Sequence, residues 1–561
     1  MSTAKPTAHL SSLGIDPARV RAIAITLTAW GSESGSPGEA SFADKLVAML
    51  RDMPYFRAHP EDVRLVDSHG DPLTRNVVAL VRGRGPRTLV LAGHFDTVST
   101  DNYHALQPLA CDSPALAQAL IDTLSAQVTR TEQEERALSD LIRGDFLPGR
   151  GLLDMKSGLA VAIACLERFS TDPDREGNLL FVTTPDEERE SRGMRSLRTA
   201  LPGLVQDFGI EIAAALNLDV TSDQGDGAEG RAVFAGTIGK LLPFALVVGC
   251  SSHAAYPFEG VSAQAMGAGI LAQLEGNADL ADHDVADTSP PPICLEAKDL
   301  RDGYEVTTPE RFWLAFNWLY HAMTADALFA RFRAEVERGA SQAIVRFAEQ
   351  AKRHAALAGR HPGVAPGAVR ILTIAEVAAL AAEVEGAGFE ASLRAEQIEA
   401  ARSDNPLVAS RRLATFLVDR ARLSGPVVVI GFAGLHYPAS RLDLKQREDR
   451  VLHGAIERAR LALAGDSATA VQWKPYFQGI SDMSFLGLAA DQSTVVSDNT
   501  PVSRLVDMPP ATALCFPVVN LGPWGREFHQ KFERVYAPYA FGVLPDLVLA
   551  IARDILSEPE V

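Results

Sequence analysis

Short apolar runs alternate with amphipathic stretches along the first part of the chain. Segment 75–98, RNVVALVRGRGPRTLVLAGHFDTV, contains two apolar runs around a Gly/Pro/Arg turn, which predicts two strands. The second run, 88–92, is continuous and rich in β-forming residues, as in a strand buried on both faces. A helix at about 156–169, a strand at about 178–184, and a further helix and strand ending at Asp219 follow. This alternation predicts an α/β fold with a mainly parallel sheet.

The pattern changes near residue 232. The segments KLLPFALVVGCSSHAAYP and RFWLAFNWLYH predict antiparallel strands around a helix at about 262–274. Segment 324–402 is rich in Ala, Glu and Arg, which predicts two long amphipathic helices. We therefore expect a discontinuous catalytic-type domain, 1–235 and 443–561, interrupted by an inserted α+β domain, 236–442, that these helices enlarge.

The composition is that of an ordinary globular protein and narrows the class of partner. A chain of 561 residues suits two or three domains, and 47% apolar against 22% charged residues excludes wholesale disorder. A net charge of −18 disfavours nucleic acid as a partner. No apolar stretch reaches the roughly 18 residues of a membrane span, so no membrane partner is expected. Because the chain starts without a signal-peptide pattern and its five cysteines form no C-x-x-C pair, we expect a cytoplasmic protein.

Four polar clusters follow or open apolar segments of the predicted sheet, and a fifth lies near the end of the chain. They are Gly93-His94-Phe95-Asp96-Thr97, GRGLLDMK at 149–156, Asp186-Glu187-Glu188, Asn217-Leu218-Asp219 and EFHQKFE at 527–533. Open α/β sheets bind ligands at the carboxyl ends of their strands. One or two imidazoles with several carboxylates and no thiolate are suited to Zn, Mn or Co.

These residues also meet the specific requirements of a pair of cations. A bridging carboxylate holds two cations about 3.5–4 Å apart, and the pair lowers the pKa of a shared water. Each cation needs its own imidazole and a further carboxylate, and a spare carboxylate takes the proton of the water. One bridge and two such pairs are supplied by His94, Asp154, Glu188, Asp219 and His529. Glu187 is then the spare base, and Asp96 the acceptor for the second ring nitrogen of His94.

The clusters resemble the motifs of the aminoacylase/carboxypeptidase G family of di-zinc peptidases and amidohydrolases. The family patterns are G-H-x-D-T-V, G-R-G-x-x-D-M-K-x-G and D-E-E, followed by a later Asp or Glu and a late His. This chain reads GHFDTV, GRGLLDMKSG, PDEERESRG, NLD and FHQKFE. The size of the chain and its FNWLYH and FHQKFERVYAPYAFGVLPDL segments most resemble the arginine-utilization branch of that family.

The resemblance implies a role for each candidate residue. One cation would be held by His94, Asp154 and Asp219, and the other by Asp154, Glu188 and His529. Glu187 would be the general base, Asp96 would orient His94, and a cis peptide bond would follow Asp154. The inserted domain would be a lid through which a homodimer forms. Its His253, in the GCSSH segment, would stabilise the oxyanion, commonly in the partner's site.

The activity implied is hydrolysis of an amide bond, peptide or N-acyl, in a small amino-acid derivative. Two divalent cations are expected, with zinc preferred over manganese or cobalt, and a place in arginine or amino-acid catabolism is implied. Two alternatives stay open. One is a metal-containing binding or regulatory protein without turnover, and the other is a hydrolase of a non-amide bond such as an ester or carbamate.

Several positions also stay open. The Asn and Arg that grip a substrate carboxylate in the lids of exopeptidases have no evident counterpart at 306–309 or 315–319. Alternatives for this role are Arg192, Arg195, Arg311 or Asn317, and the sequence does not distinguish among them. Asp223 competes with Asp219, and His436 and His453 compete with His529. An extra segment, 99–147, predicted to be helical from leucines 116, 120 and 124, is expected to reshape the mouth of the pocket.

Overall fold

The structure, a computed structural model, describes residues 13–222, 225–228, 230–361, 367–462, 470–489 and 493–557. The chain forms two compact units. The first unit comprises Met1–Thr237, Ser440–Ala490 and Pro509–Val561, and the second comprises Ile238–Ala439 and Asp491–Met508.

An eight-stranded sheet forms the centre of the first unit. Its strands, in spatial order, are Val63–His69, Thr74–Val81, Glu176–Thr184, Arg84–His94, Glu211–Asn217, Val518–Asn520, Ala232–Phe234 and Gln472–Lys474. The strand Arg84–His94 is parallel to both of its neighbours, Glu176–Thr184 and Glu211–Asn217. The carboxyl ends of these three strands therefore lie side by side. This arrangement confirms the predicted α/β fold with a mainly parallel sheet.

Helices pack around this sheet, and two more form an apolar cluster of their own. The first group comprises Pro17–Ala29, Pro37–Arg51, Pro54–Ala58, Ser157–Ser170, Arg192–Phe208, Arg447–Ala462 and Leu544–Leu556. The helices with their own cluster are Ser113–Ala126 and Glu132–Arg143. The helix Ser157–Ser170 is apolar over most of its surface, and it is buried accordingly. A small sheet of Gly525–Arg526, Arg534–Tyr536 and Phe146–Pro148 lies in the same unit, as does the pair Gly236–Thr237 and Ser440–Arg441. No helix in the described part of the chain is both long and apolar enough to span a membrane.

The second unit is an α+β structure around a mainly antiparallel sheet. Its strands, in spatial order, are Ile293–Asp299, Arg311–Tyr320, Pro243–Val248, Val427–Phe432 and Arg370–Thr373, with Gly239–Leu241 paired to Arg311–Tyr320. Its longer helices are Ala263–Leu274, Ala325–Leu357, Ile374–Glu385, Phe389–Ala400 and Pro406–Arg420. The first two helices pack on one face of the sheet, and the other three pack on the opposite face or next to it.

Segment 324–402 differs from the two long helices expected from its composition. It contains one helix of 33 residues, Ala325–Leu357, and then a strand and two shorter helices. Thr373 and Glu376 form a capping box that starts a new helix at Ile374. Gly386, with a φ of +66°, follows the end of that helix. Local capping thus divides the stretch that was expected to form the second of the two long helices.

Residues 491–508 group with the second unit, whereas the sequence analysis placed them in the catalytic-type domain. The Phe432 amide donates a hydrogen bond of 2.8 Å to the Asn499 carbonyl, which ties this segment to the strand Val427–Phe432. Val502 and Leu505 are buried against Leu413 in a small apolar cluster. Because these contacts join positions far apart in sequence, hydrophobic periodicity gives no sign of them.

The close approach of the helix Ser157–Ser170 to the end of a strand requires glycine at position 158. A Cβ atom there would lie 2.0 Å from the carbonyl oxygen of Leu218, next to Asp219. We expect Gly158→Ala to lower the free energy of unfolding by about 1–3 kcal/mol, as overpacking does. Gly203→Ala is the control, since a Cβ there meets nothing within 4 Å and helix propensity should raise stability by about 0.5–1 kcal/mol. Urea unfolding of both variants measures this, and equal effects would contradict the interpretation.

Candidate metal centre

The predicted ligands from the central strands meet at one edge of the sheet. His94 is the last residue of its strand, Glu187 and Glu188 follow the strand Glu176–Thr184, and Asp219 follows Glu211–Asn217. Asp154 comes from the turn before the helix Ser157–Ser170. The last candidate, His529, lies between the strands Gly525–Arg526 and Arg534–Tyr536.

Asp154 lies between two imidazoles. Its Oδ1 is 3.1 Å from Nε2 of His94, and its Oδ2 is 3.1 Å from Nε2 of His529. Asp219 Oδ1 lies 3.6 Å from the same nitrogen of His94, and Glu188 Oε1 lies 3.0 Å from that of His529. The ligand atoms form two groups, and the atoms within each group lie within 4.8 Å of one another. One group is His94, Asp154 and Asp219, and the other is Asp154, Glu188 and His529. The peptide bond Asp154–Met155 is cis, as the resemblance implies.

The electrostatics of this cluster fit cations. Burial raises the pKa of Glu187 well above its ordinary value, and it raises the pKa of Glu188 to about 7 despite a hydrogen bond from His529. Burial alone would lower the pKa of His529, but hydrogen bonds to Asp154 and Glu188 raise it to about 11. Buried carboxylates of this number need positive charge nearby. Imidazole and carboxylate donors without thiolate are suited to two Zn²⁺, Mn²⁺ or Co²⁺ ions.

Asp96 supports more of the centre than the sequence indicates. The Nδ1 atom of His94 is 3.1 Å from the Asp96 carbonyl oxygen and 3.5 Å from its Oδ1. The Asp96 carboxylate also accepts hydrogen bonds from the backbone amides of Glu187, at 3.0 Å, and Glu188, at 3.2 Å. The Ser34 hydroxyl donates to it at 2.7 Å. Asp96 therefore fixes the imidazole of His94 chiefly through its backbone carbonyl, and it fixes the Glu187-Glu188 turn through its buried carboxylate.

Asn520 is a supporting residue that the sequence analysis missed. Its Oδ1 accepts a hydrogen bond of 3.2 Å from the Asp219 amide, and its Nδ2 donates to the carbonyls of Asp219 and Val220 at 3.2 and 2.9 Å. Asn520 ends the strand Val518–Asn520, next to the strand that precedes Asp219. Asn520 directly follows the apolar run FPVV at 516–519. A polar residue at the end of an apolar run is the pattern that identified the other clusters, so it could have identified Asn520 as well.

The ion pair between Arg150 and Glu533 is also not evident from the sequence. Both side chains are 1% exposed and form an ion pair, and Glu533 accepts a hydrogen bond of 2.9 Å from the Gly151 amide. The pair joins the two segments that contain Asp154 and His529. Each residue stands inside a motif that the sequence analysis singled out, but only the fold shows that they are partners.

A cavity of about 260 Å³ opens onto the centre. Asp154, Glu187, Glu188, Asp219 and His529 line one part of it. The rest of the lining is largely apolar and comprises Val98, Val220, Phe477, Gly479, Ile480 and Phe528. A larger cavity of about 720 Å³ in the first unit is lined by Arg87 and Glu211, at the amino ends of their strands, and holds none of the predicted ligands.

The rival candidates have other contacts. The ring of His436 is hydrogen-bonded to the Tyr320 hydroxyl at 2.5 Å, and that of His453 stacks on Trp473 with a centroid distance of 4.7 Å. Asp223 lies outside the described residues. Two of the residues considered for binding a substrate carboxylate already pair with acidic side chains. Arg192 binds Asp186 through two nitrogens, each at 2.7 Å, and Arg311 pairs with Asp419.

His253 lies in the second unit, where its side chain is exposed. The Nδ1 atom accepts a hydrogen bond of 3.1 Å from the Ala255 amide. This bond places the ring proton on Nε2, which is therefore a donor.

Comparison with known proteins agrees with these motifs. Residues 91–497 match Peptidase family M20/M25/M40. The uncharacterized protein YqjN of Bacillus subtilis (strain 168) is 30% identical over 549 residues, 96% of each chain, and protein RocB of the same strain is 27% identical over 545 residues, 94% of each. The crystal structure of aminopeptidase PepT from Bacillus cereus ATCC 10987 has the same fold, with a TM-score of 0.51 and 13% identity over 96% of this chain and 99% of that one. The resemblance drawn from the motifs is thus confirmed, and the chain belongs to peptidase family M20/M25/M40 as a metallopeptidase or amidohydrolase.

Proposed function

We propose that this protein hydrolyses an amide bond, peptide or N-acyl, in a small amino-acid derivative with the help of two divalent cations. The observation that carries the proposal is the carboxylate of Asp154, which offers one oxygen toward each of two imidazoles. Membership of the peptidase family supports hydrolysis of an amide bond. The finer identities, a small amino-acid derivative as substrate and zinc as the cation, rest on the motifs and the donor set.

The residues divide into two ligand sets with one shared member. His94, Asp154 and Asp219 would hold one cation, and Asp154, Glu188 and His529 the other. When bound, such a pair lowers the pKa of water and polarises the carbonyl of the substrate. Asp96 and Asn520 keep His94 and Asp219 in place through the hydrogen bonds described above, so the donor set is largely preorganised.

Glu187 is proposed as the general base. Its Oε2 lies 3.9 Å from Nε2 of His94, its side chain lines the cavity, and its backbone amide is held by Asp96. The carboxylate would take a proton from the attacking water and return it to the nitrogen of the leaving amine. Burial raises the pKa of this group, which favours a carboxyl that can hold the proton between the two steps.

His253 is proposed to stabilise the oxyanion. Its exposed ring and its Nε2–H donor are suited to a hydrogen bond with a carbonyl oxygen that gains negative charge. A homodimer through the second unit, in which His253 serves the partner's site, remains part of this proposal. So do a role in arginine or amino-acid catabolism, which rests on the resemblance to the arginine-utilization branch, and a cytoplasmic location, which rests on the scattered cysteines.

Two adjacent glutamates provide a direct test of this division of roles. Glu187→Gln should retain both cations and lower kcat by about 10²–10⁴-fold, because only the base is lost. Glu188→Gln should weaken the binding of one cation, because it changes a ligand. Metal content by elemental analysis and turnover of a panel of dipeptides and N-acyl amino acids measure both effects. Full activity in Glu187→Gln would disprove the proposed base.

The binding of cations should release protons at neutral pH. In the metal-free protein the raised pKa of His529, about 11, keeps its imidazole protonated at pH 7, whereas a ligand must be neutral. Metal affinity should therefore rise with pH. Calorimetric titration with Zn²⁺ in buffers of different ionisation enthalpy measures the number of protons released. His529→Ala should release fewer protons than the wild type, and an equal number would contradict this account.

A further inference from the structure

The residues around His529 contact a segment that lies early in the chain. We define the His529 hairpin as residues 525–536, whose two strands pair with each other and whose second strand also pairs with Phe146–Pro148. We define the supporting segment as residues 101–143, which contains the helices Ser113–Ala126 and Glu132–Arg143. Neither the metal ligands nor the base comes from this segment, so the mechanism proposed above gives it no task.

Apolar contacts join the two parts. Phe532, at the turn of the hairpin, is 6% exposed and belongs to a cluster formed otherwise by the supporting segment. The other buried members of that cluster are Tyr103, Ala110, Leu116, Leu120, Leu124, Ala137, Leu138 and Leu141. The hairpin therefore contributes a side chain to the core of the supporting segment.

Charged contacts join them as well. The buried carboxylate of Asp140 accepts hydrogen bonds from Arg526 at 2.5 Å and from Arg534 at 2.8 and 3.0 Å. Arg136 donates to Glu527 at 3.2 Å. Since these partners lie on both strands of the hairpin or next to them, the supporting segment fixes the hairpin at its base.

The contact that matters most is at His529 itself. Its φ of +64° is in the left-handed region, which residues other than glycine rarely adopt. The carbonyl oxygen of His529 accepts hydrogen bonds from Nδ2 of Asn102, at 2.9 Å, and from Nη2 of Arg150, at 3.3 Å. The same Arg150 nitrogen donates to Oδ1 of Asn102 at 2.9 Å. Asn102 thus holds the backbone of a ligand in an unfavourable conformation.

The two imidazoles of the centre differ in how firmly they are enclosed. The side chain of His94 is 2% exposed and ends a central strand, whereas that of His529 is 34% exposed and lies on a hairpin turn. The position formed by Asp154, Glu188 and His529 thus depends on contacts outside the sheet. The position formed by His94, Asp154 and Asp219 shares Asp154 with it, but its imidazole is enclosed at the end of a central strand.

We infer that the supporting segment, through the Asn102 side chain, is a positioning device for His529 and sets the affinity of that one cation position. This inference rests on the proposed two-cation centre and deepens it. Asn102 is a positioning residue, because it acts on the backbone of His529 and belongs to neither group of ligands.

Asn102→Asp separates this role from general support of the fold. The substitution keeps the size of the side chain and the oxygen that accepts from Arg150, but it removes the amide that donates to His529. Asn102→Ala removes both contacts. Gln118→Glu is the matched control, since it makes the same amide-to-acid change at an exposed site of the supporting segment.

The experiment is a titration of the metal-free full-length variants with Zn²⁺ under chelator competition, with thermal unfolding of the same metal-free samples. For Asn102→Asp we expect the dissociation constant of the position with His94 to stay within about twofold of the wild type. The dissociation constant of the position with His529 should rise about 10–100-fold, the usual effect of losing an outer contact to a ligand. Gln118→Glu should change neither constant, and the unfolding midpoints should agree.

Three outcomes would overturn the inference. The first is that the Zn²⁺ dissociation constants are unchanged in both Asn102 variants, and the second is that both cation positions lose affinity equally. The third is a wild type that binds no Zn²⁺, which would overturn the two-cation centre too. A wild type that binds two ions with the expected response of Asn102→Asp, yet hydrolyses no amide, would support the inference while contradicting the proposed activity. The two proposals can therefore fail separately.

Discussion

The concentration of buried carboxylates at one edge of the sheet is the constraint on which the site depends. Asp96, Asp154, Glu187 and Asp219 are buried close together, where unpaired negative charge is costly. Two imidazoles offset part of that charge, and Asp154 contacts both of them. Hydrogen bonds hold these acidic residues close together although their charges repel each other. Ser34 binds the carboxylate of Asp96, and Asn520 binds the backbone of Asp219. An arrangement of this kind is stable in a protein that binds cations.

The α/β core and the candidate ligands of the first unit could be predicted because both depend on local pattern. Continuous apolar runs gave the central strands, and polar residues at their ends gave His94, Glu187, Glu188 and Asp219. His529 was harder, since no strand of the main sheet directly precedes it and His436 and His453 competed with it. The fold separates them, because only His529, of these three, lies next to Asp154.

The contacts that could not be predicted join positions far apart in the chain. Asn520 binds the backbone of Asp219 across about 300 positions, and Arg150 pairs with Glu533 across 383. Neither contact leaves a periodic trace in the sequence. The division of 324–402 into several helices had a different cause, because a capping box and a glycine outweighed helix-favouring composition. Composition predicts how much helix forms better than where each helix begins and ends.

The pairing of the His529 hairpin with residues 146–148 also bears on the order in which the protein is assembled. His94, Asp154 and Asp219 precede the second unit in the chain, whereas His529 is synthesised only after the second unit. The supporting segment is therefore made long before the hairpin that completes its apolar cluster with Phe532. During that interval its apolar residues lack one of their partners. Because Phe532 and His529 lie on the same hairpin, the segment that completes this apolar cluster is also the segment that completes the second cation position.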